Sequence, residues 1–161
     1  MILWKESDRI TKIPSLETGG AFMYPDIASN YYYVKKLIGV FKSQDTSPRR
    51  SSHVKSRHCD AIAYILAGAA VYRFDDGLEF TVRQGDILYM AHNAVYSVSF
   101  PTQSFQILFC DFEFDSPVPK QSAVYTPKNT LHAKTLFEKL LHVYTAPTQT
   151  AFHDSMALFY Q

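Results

Sequence analysis

From Tyr31 to Phe114 short apolar runs alternate with polar turn residues at a spacing too tight for helices. The first run, YYYVKKLIGVF from Tyr31 to Phe41, is rich in aromatic and β-branched residues and predicts a long strand. A polar stretch from Lys42 to about Ser56 follows. With Pro48, its serines and the bases Arg49, Arg50 and Lys55, it reads as a solvated connection. Further strands are predicted at Ala61–Leu66, Val71–Phe74, Leu78–Arg83, Ile87–Met90, Val95–Phe100 and Phe105–Phe114. Gly68, the Asp75-Asp76-Gly77 turn and the Gly85-Asp86 step punctuate them. The last run alternates poorly, which predicts a strand covered on both faces. Such evenly spaced short strands point to a sandwich or closed barrel and away from a parallel sheet with helical crossovers.

Beyond Pro117 and Pro119 the period lengthens. The segment TLHAKTLFEKLLHVY, residues 130–144, sets Ala133, Phe137, Leu140, Leu141 and Tyr144 on one helical face, with Asn129 as N-cap. Leu136, Leu140 and Val143 form a second apolar edge. Pro147 suits the first turn of a second helix, about 148 to 161, that brings Phe152, Met156, Phe159 and Tyr160 together. Neither Gly nor Pro closes it, so the chain is expected to be a fragment that continues into a following domain. Ahead of the strands, Pro14, Gly19, Gly20 and Pro25 interrupt residues 1–30, which read as an arm anchored by Trp4. The expected division is an arm at 1–30, a barrel at 31–118 and a helical segment at 119–161.

Composition narrows the function without naming it. A length of 161 residues suits one domain with a core of its own. A formal net charge of +1 lacks the excess that nonspecific DNA or membrane-surface binding uses, and the basic stretch SPRRSSHVKSRH has no interleaved aromatics. Cys59 and Cys110 form neither a CxxC motif nor a disulfide framework. No apolar run of 18 residues and no signal-like N-terminus is present, so the expectation is a cytoplasmic protein without a membrane partner. The six histidines make no HxH or HExxH pattern, and no P-loop, G-x-G-x-x-G or G-x-S-x-G occurs. Asp75, Asp76 and Glu79 straddle a hairpin turn, where solvated carboxylates are the ordinary expectation. No residue stands out as catalytic.

The run AIAYILAGAAVYRFDDGLEFTVRQGDILYMAHNAVYSVSF resembles the cupin barrel of AraC-type transcription regulators: a strand into a Gly turn, an aromatic strand, a hairpin, then a Gly-Asp step before an apolar strand. The resemblance extends over about Tyr31 to Phe112, and the two helices resemble the segment that follows the barrel in that family. It implies a mainly β fold, a cupin-like double-stranded β-barrel or jelly roll followed by two C-terminal helices. It also implies an effector-sensing, dimerising domain that reaches DNA only through a C-terminal helix-turn-helix domain not in this chain. Metal-binding cupins place a Glu where this chain has Ala61 and a His where it has Tyr96, so no metal and no cofactor are expected. In the family's sugar-responsive members the pocket positions correspond to His53 or Arg57, Tyr96 or Val98, and Ile107 and Phe109. Tyr64 and Tyr89 join the candidates because a phenol can line an apolar wall and offer its hydroxyl to a ligand. Tyr64, Tyr89 and Phe109 also read as simple core aromatics, and Arg57 as a rim residue paired with Asp60. The expected ligand residues are thus His53, Arg57, Tyr64, Tyr89, Tyr96 and Phe109, for a sugar or similar effector. A homodimer is expected through Leu136, Phe137, Leu140, Val143 and Tyr144 of the first helix. The competing expectation is a small cupin enzyme, with or without a metal, acting on a sugar or an aromatic acid.

Overall fold

Two antiparallel sheets face each other, and a pair of helices covers the outer side of the larger one. The computed structural model describes residues 33–45, 51–115 and 121–161. The expected arm with Trp4, the start of the first strand at Tyr31, and Pro48, Arg49, Arg50, Pro117 and Pro119 lie outside the described residues.

The strands are β1 (Val34–Asp45), β2 (Ser51–Val54), β3 (Asp60–Ala67), β4 (Ala69–Phe74), β5 (Glu79–Arg83), β6 (Ile87–Met90), β7 (Tyr96–Ser99), β8 (Phe105–Phe114) and β9 (Ala123–Tyr125). One sheet runs β1-β8-β3-β6-β9 and the other β2-β7-β4-β5. The interleaving of the first eight strands, 1-8-3-6 against 2-7-4-5, is the strand order of a jelly roll, the architecture cupins use. Three strands differ from the sequence expectation. β1 runs on to Asp45, and β2 forms inside the stretch expected to be a solvated connection, because pairing with Tyr96–Ser99 satisfies its backbone despite its polar composition. The three-residue β9 adds an edge beside β6.

Three glycines hold left-handed backbone at the turns the sequence marks, and Gly68 is the most constrained. It joins β3 to β4 with φ 79°. The Thr102 hydroxyl packs at this corner, accepting from the Ala69 N–H at 3.1 Å and donating to the Ser104 carbonyl at 3.0 Å. The Asp75-Asp76-Gly77 hairpin closes as expected, with Phe74 N–H donating to the Leu78 carbonyl and Asp76 Oδ1 accepting from Leu78 N–H.

Two apolar clusters share the five-stranded sheet as their common wall. Between the sheets, Ala61, Ala63, Ile65, Leu88, Met90, Phe105 and Ile107 meet Ala70, Tyr72, Phe74, Val82, Tyr96 and Val98. On the outer face, Val34, Leu37, Val40, Tyr64, Leu108, Cys110 and Phe112 pack against the helices. β8 supplies both clusters, so its weak alternation does reflect cover on both faces.

Helix α1 (Thr130–Tyr144) begins as expected, with Asn129 Oδ1 accepting from His132 N–H at 2.9 Å. Helix α2 (Ala151–Phe159) starts later than Pro147, because Thr148–Thr150 form a turn first. Its inward face is Ala151, Ser155 and Phe159, so Phe152 stays 46% exposed and does not join the expected stripe. Each helix ends in a tyrosine fastened to the edge strand β1. Tyr144 Oη donates to the Ile38 carbonyl at 3.0 Å, and Tyr160 Oη bridges the N–H (2.6 Å) and carbonyl (3.2 Å) of Val34. Both anchor points lie at register irregularities of the β1–β8 pairing, between Val34 and Lys36 and between Leu37 and Gly39. There the bulged backbone turns groups away from the ladder, and a tyrosine hydroxyl takes them up. β1 therefore carries helices on its outer side and barrel wall on its inner side.

Burial pushes the Tyr72 and Tyr89 phenols and the Cys110 thiol well above their usual ranges, helped by Tyr96, by the Asp60 bond and by Asp111 respectively. The folded chain thus keeps protons that the unfolded chain releases, so the associated stability is complete below the unfolded pKa values and is lost above them. The urea midpoint is expected to fall from about pH 8.5, where free thiols ionise, and more steeply above about pH 10, where tyrosines do. Tyr72→Phe should flatten the second part of that profile.

Candidate functional site

Strand alternation sorts the candidate residues before any side-chain contact is considered. Ala61 and Met90 pair across β3 and β6 and both point between the sheets, so Tyr64 and Tyr89 point outward. Tyr64 packs on Phe137 of α1, ring centroids 5.6 Å apart, and donates to the Thr130 carbonyl at 3.0 Å. The Tyr89 hydroxyl donates to Asp60 Oδ1, which also accepts from His92 N–H. On β2, Val54 packs inward, which turns His53 outward into solvent. His53, Tyr64 and Tyr89 therefore lie outside the barrel interior.

Arg57, Tyr96 and Phe109 do face the interior, and they converge with residues that the sequence reading omits. Arg57 lies between β2 and β3. Its Nη2 meets Asp111 Oδ1 at 2.6 Å, Nη1 lies 3.3 Å from Tyr96 Oη and 4.0 Å from Met90 Sδ, and Nε donates to the Cys59 carbonyl at 3.3 Å. Its partner is thus Asp111 and not Asp60, because Asp60 sits on the outward side of β3. Only 12% of the Arg57 side chain and 18% of the Asp111 side chain are exposed, so the pair is largely withdrawn from water. Its place is fixed by two backbone bonds, from Arg57 N–H to the Ala94 carbonyl and from Asn93 N–H to the Arg57 carbonyl.

Burial is the largest influence on Arg57 and works against its charge, yet Tyr96 and Asp111 more than offset it and hold the guanidinium above its ordinary value. Burial raises the Asp111 carboxyl, and Arg57 offsets this only in part. Burial, then Asp111, raises the Cys59 thiol, which suppresses the thiolate. A charged residue inside the apolar run FQILFCDFEF was the signal that could have found Asp111, since a buried charge requires a partner.

Phe109 is half-buried on the inner face of β8 and stacks on Phe41 of β1 at 5.2 Å. Gly39 stands opposite Asp111 in the β1–β8 pairing. Ala61 and Tyr96, the positions that resemble the Glu and His of metal cupins, both belong to the inter-sheet cluster. Among the described residues no three His, Cys, Asp or Glu side chains are grouped to hold a metal. A separate cleft of about 300 Å³ opens at the hairpin end, lined by Phe74–Asp76, Ala91–Val95 and Ser122.

Comparison with solved structures gives this architecture a counterpart. ToxT from Vibrio cholerae O395, an AraC-family regulator solved with (E)-4-(8-methylnaphthalen-1-yl)but-3-enoic acid, matches at a TM-score of 0.58 and 7% identity, over 78% of this chain and 54% of that one. The chain shares the fold of ToxT. Wild-type ToxT of strain SCE256, bound to an unsaturated fatty acid, matches at 0.56 and 8% identity, over 80% of this chain and 52% of that one. This chain spans about half the length of the ToxT structures it matches. No family model and no curated protein matches the sequence.

On the helices, the candidate dimer residues separate. Phe137 and Leu140 are buried against the chain's own sheet, and Tyr144 is half-buried with its hydroxyl on β1. These three serve the fold, while Leu136 and Val143 remain half-buried on another side of α1 and Leu131 is 72% exposed. No helix among the described residues is long and apolar enough to cross a membrane.

Proposed function

We propose that this chain is the ligand-sensing and dimerisation domain of an AraC-type transcription regulator. It takes a small effector, a sugar or similar molecule, into the barrel and controls a separate DNA-binding domain. The observation that carries this reading is the Arg57–Asp111 pair with Tyr96, turned into the barrel end. Well-packed apolar residues would serve stability there at least as well, so such a pair suits recognition better than folding. The fold shared with ToxT supports it, since the two ToxT structures hold small organic acids. The raised Cys59 thiol offers no ready nucleophile beside the pair, which favours binding over catalysis.

A thermal-shift screen over sugars, aromatic acids and fatty acids tests the reading. At a hundred times its Kd, an effector should raise Tm by about 5 to 10 °C. The shift should vanish in the Arg57→Met/Asp111→Leu double variant. A screen without any shift, or a shift unchanged in the double variant, counts against the site.

For dimerisation, Leu136 and Val143 are seven residues apart and share one side of α1, with Lys139 between them. Replacing both by Glu is expected to turn a dimer into a monomer in sedimentation at micromolar concentration while leaving the urea midpoint within about 0.5 kcal/mol. A wild-type chain that already sediments as a monomer would remove the dimer from the proposal.

A further inference from the structure

Arg57 grips Asp111 through one nitrogen and one oxygen, at 2.6 Å, while its other nitrogens reach Tyr96, Met90 and Cys59. A guanidinium can bind a carboxylate through two parallel bonds, and Asp111 makes one. On β1 Gly39 stands opposite Asp111, and among the described residues an added Cβ there would meet only the Phe41 ring, at 3.6 and 3.8 Å. Phe109 lies one inward position along β8 from Asp111, and Phe41, stacked on it, is 43% exposed. A buried cation thus adjoins an apolar ledge that reaches solvent.

We infer that the barrel end binds an amphipathic carboxylate, whose head group replaces Asp111 on Arg57 and whose apolar body lies along Phe109 and Phe41. This rests on the effector reading above and names the ligand class. The exchange opens one arginine–carboxylate contact and forms another, and the released Asp111 takes a proton from solvent. Burial already raises the Asp111 carboxyl against the opposing pull of Arg57, which favours that uptake. Among the described residues the titratable groups that act on or respond to Asp111 are Arg57, Cys59 and Cys110, with Tyr96 reached through Arg57; β1 and β3 contribute Gly39 and Ala61 opposite it. The cleft at the hairpin carries Asp75 and Asp76, which disfavour an anion there.

Isothermal titration of the full chain with decanoate, decanol and glucose is the test. Decanoate should bind about tenfold or more tightly than decanol, the difference a charge-assisted contact supplies. Asp111→Asn removes the competing charge and should tighten decanoate severalfold, whereas a merely structural aspartate would leave affinity equal or lower when replaced. The Arg57→Met/Asp111→Leu variant, its fold checked by circular dichroism, should lose decanoate. Equal affinity for acid and alcohol, no binding of decanoate, or weaker binding by Asp111→Asn overturns the inference. Glucose binding without decanoate would overturn it while leaving the effector reading intact.

Discussion

Gly68→Ala is expected to destabilise the chain by about 2 to 5 kcal/mol, the sum of a left-handed backbone penalty and a steric overlap. An added Cβ would lie 2.1 Å from the Ser104 carbonyl oxygen and 2.8 Å from Thr102 Oγ1. Backbone cannot step aside as a flexible side chain can, so the 102–104 segment would have to move. That movement would break the Thr102 bonds that close the β3–β4 corner and tilt Phe105 out of the inter-sheet cluster. Urea unfolding should show a lower midpoint, with near-ultraviolet dichroism of the aromatic cluster weakened. Gly77→Ala provides the contrast. It shares the positive φ, 89°, but an added Cβ meets nothing within 4 Å, so only the backbone penalty of about 1 to 2 kcal/mol should remain. Equal costs at the two positions would show that the close approach at Ser104 carries no weight.

Arg57→Met alone is expected to cost about 3 kcal/mol, because it leaves Asp111 largely buried without its counter-charge. The Arg57→Met/Asp111→Leu double variant should return to within about 1 kcal/mol of the parent, since replacing both members of a withdrawn ion pair by apolar groups is often neutral or stabilising. A double-mutant cycle from urea midpoints measures both. The sign for Asp111 follows from its raised folded pKa: its contribution is complete below the unfolded carboxyl value of about 3.9 and is lost as pH rises through the folded value. At neutral pH the ionised aspartate is therefore held at a net cost, which fits a group kept for recognition. A double variant as unstable as Arg57→Met would mean that the pair serves the fold.

The placement of the candidate residues shows how far a single sequence reaches. Tyr64, Tyr89 and His53 were reasonable ligand residues by chemistry, yet a strand's period of two sends each of them to the outer face once Ala61, Met90 and Val54 are fixed inward. Sequence selects residue types, whereas register selects sides. Phe137 and Leu140 meet the same limit on α1, where an apolar stripe can cover the chain's own sheet or a partner's, and here it covers the sheet. β2 carries no periodic signal because its residues have no apolar rhythm, and its strand state comes from a neighbour's backbone.

What the sequence by itself determined is the succession of strands, the turns at Gly68, Gly77 and Gly85, and the two helices, because these follow from short-range periodicity and from the backbone freedom of glycine; the jelly-roll class was implied only by the resemblance to cupin barrels. Only the tertiary structure decided which faces meet. It brought Asp111 across from β8 to Arg57, 54 residues earlier in the chain, and fastened Tyr144 and Tyr160 to the bulges of β1. Such contacts depend on register and sheet order. Those are properties of paired strands, and no single strand's sequence contains them.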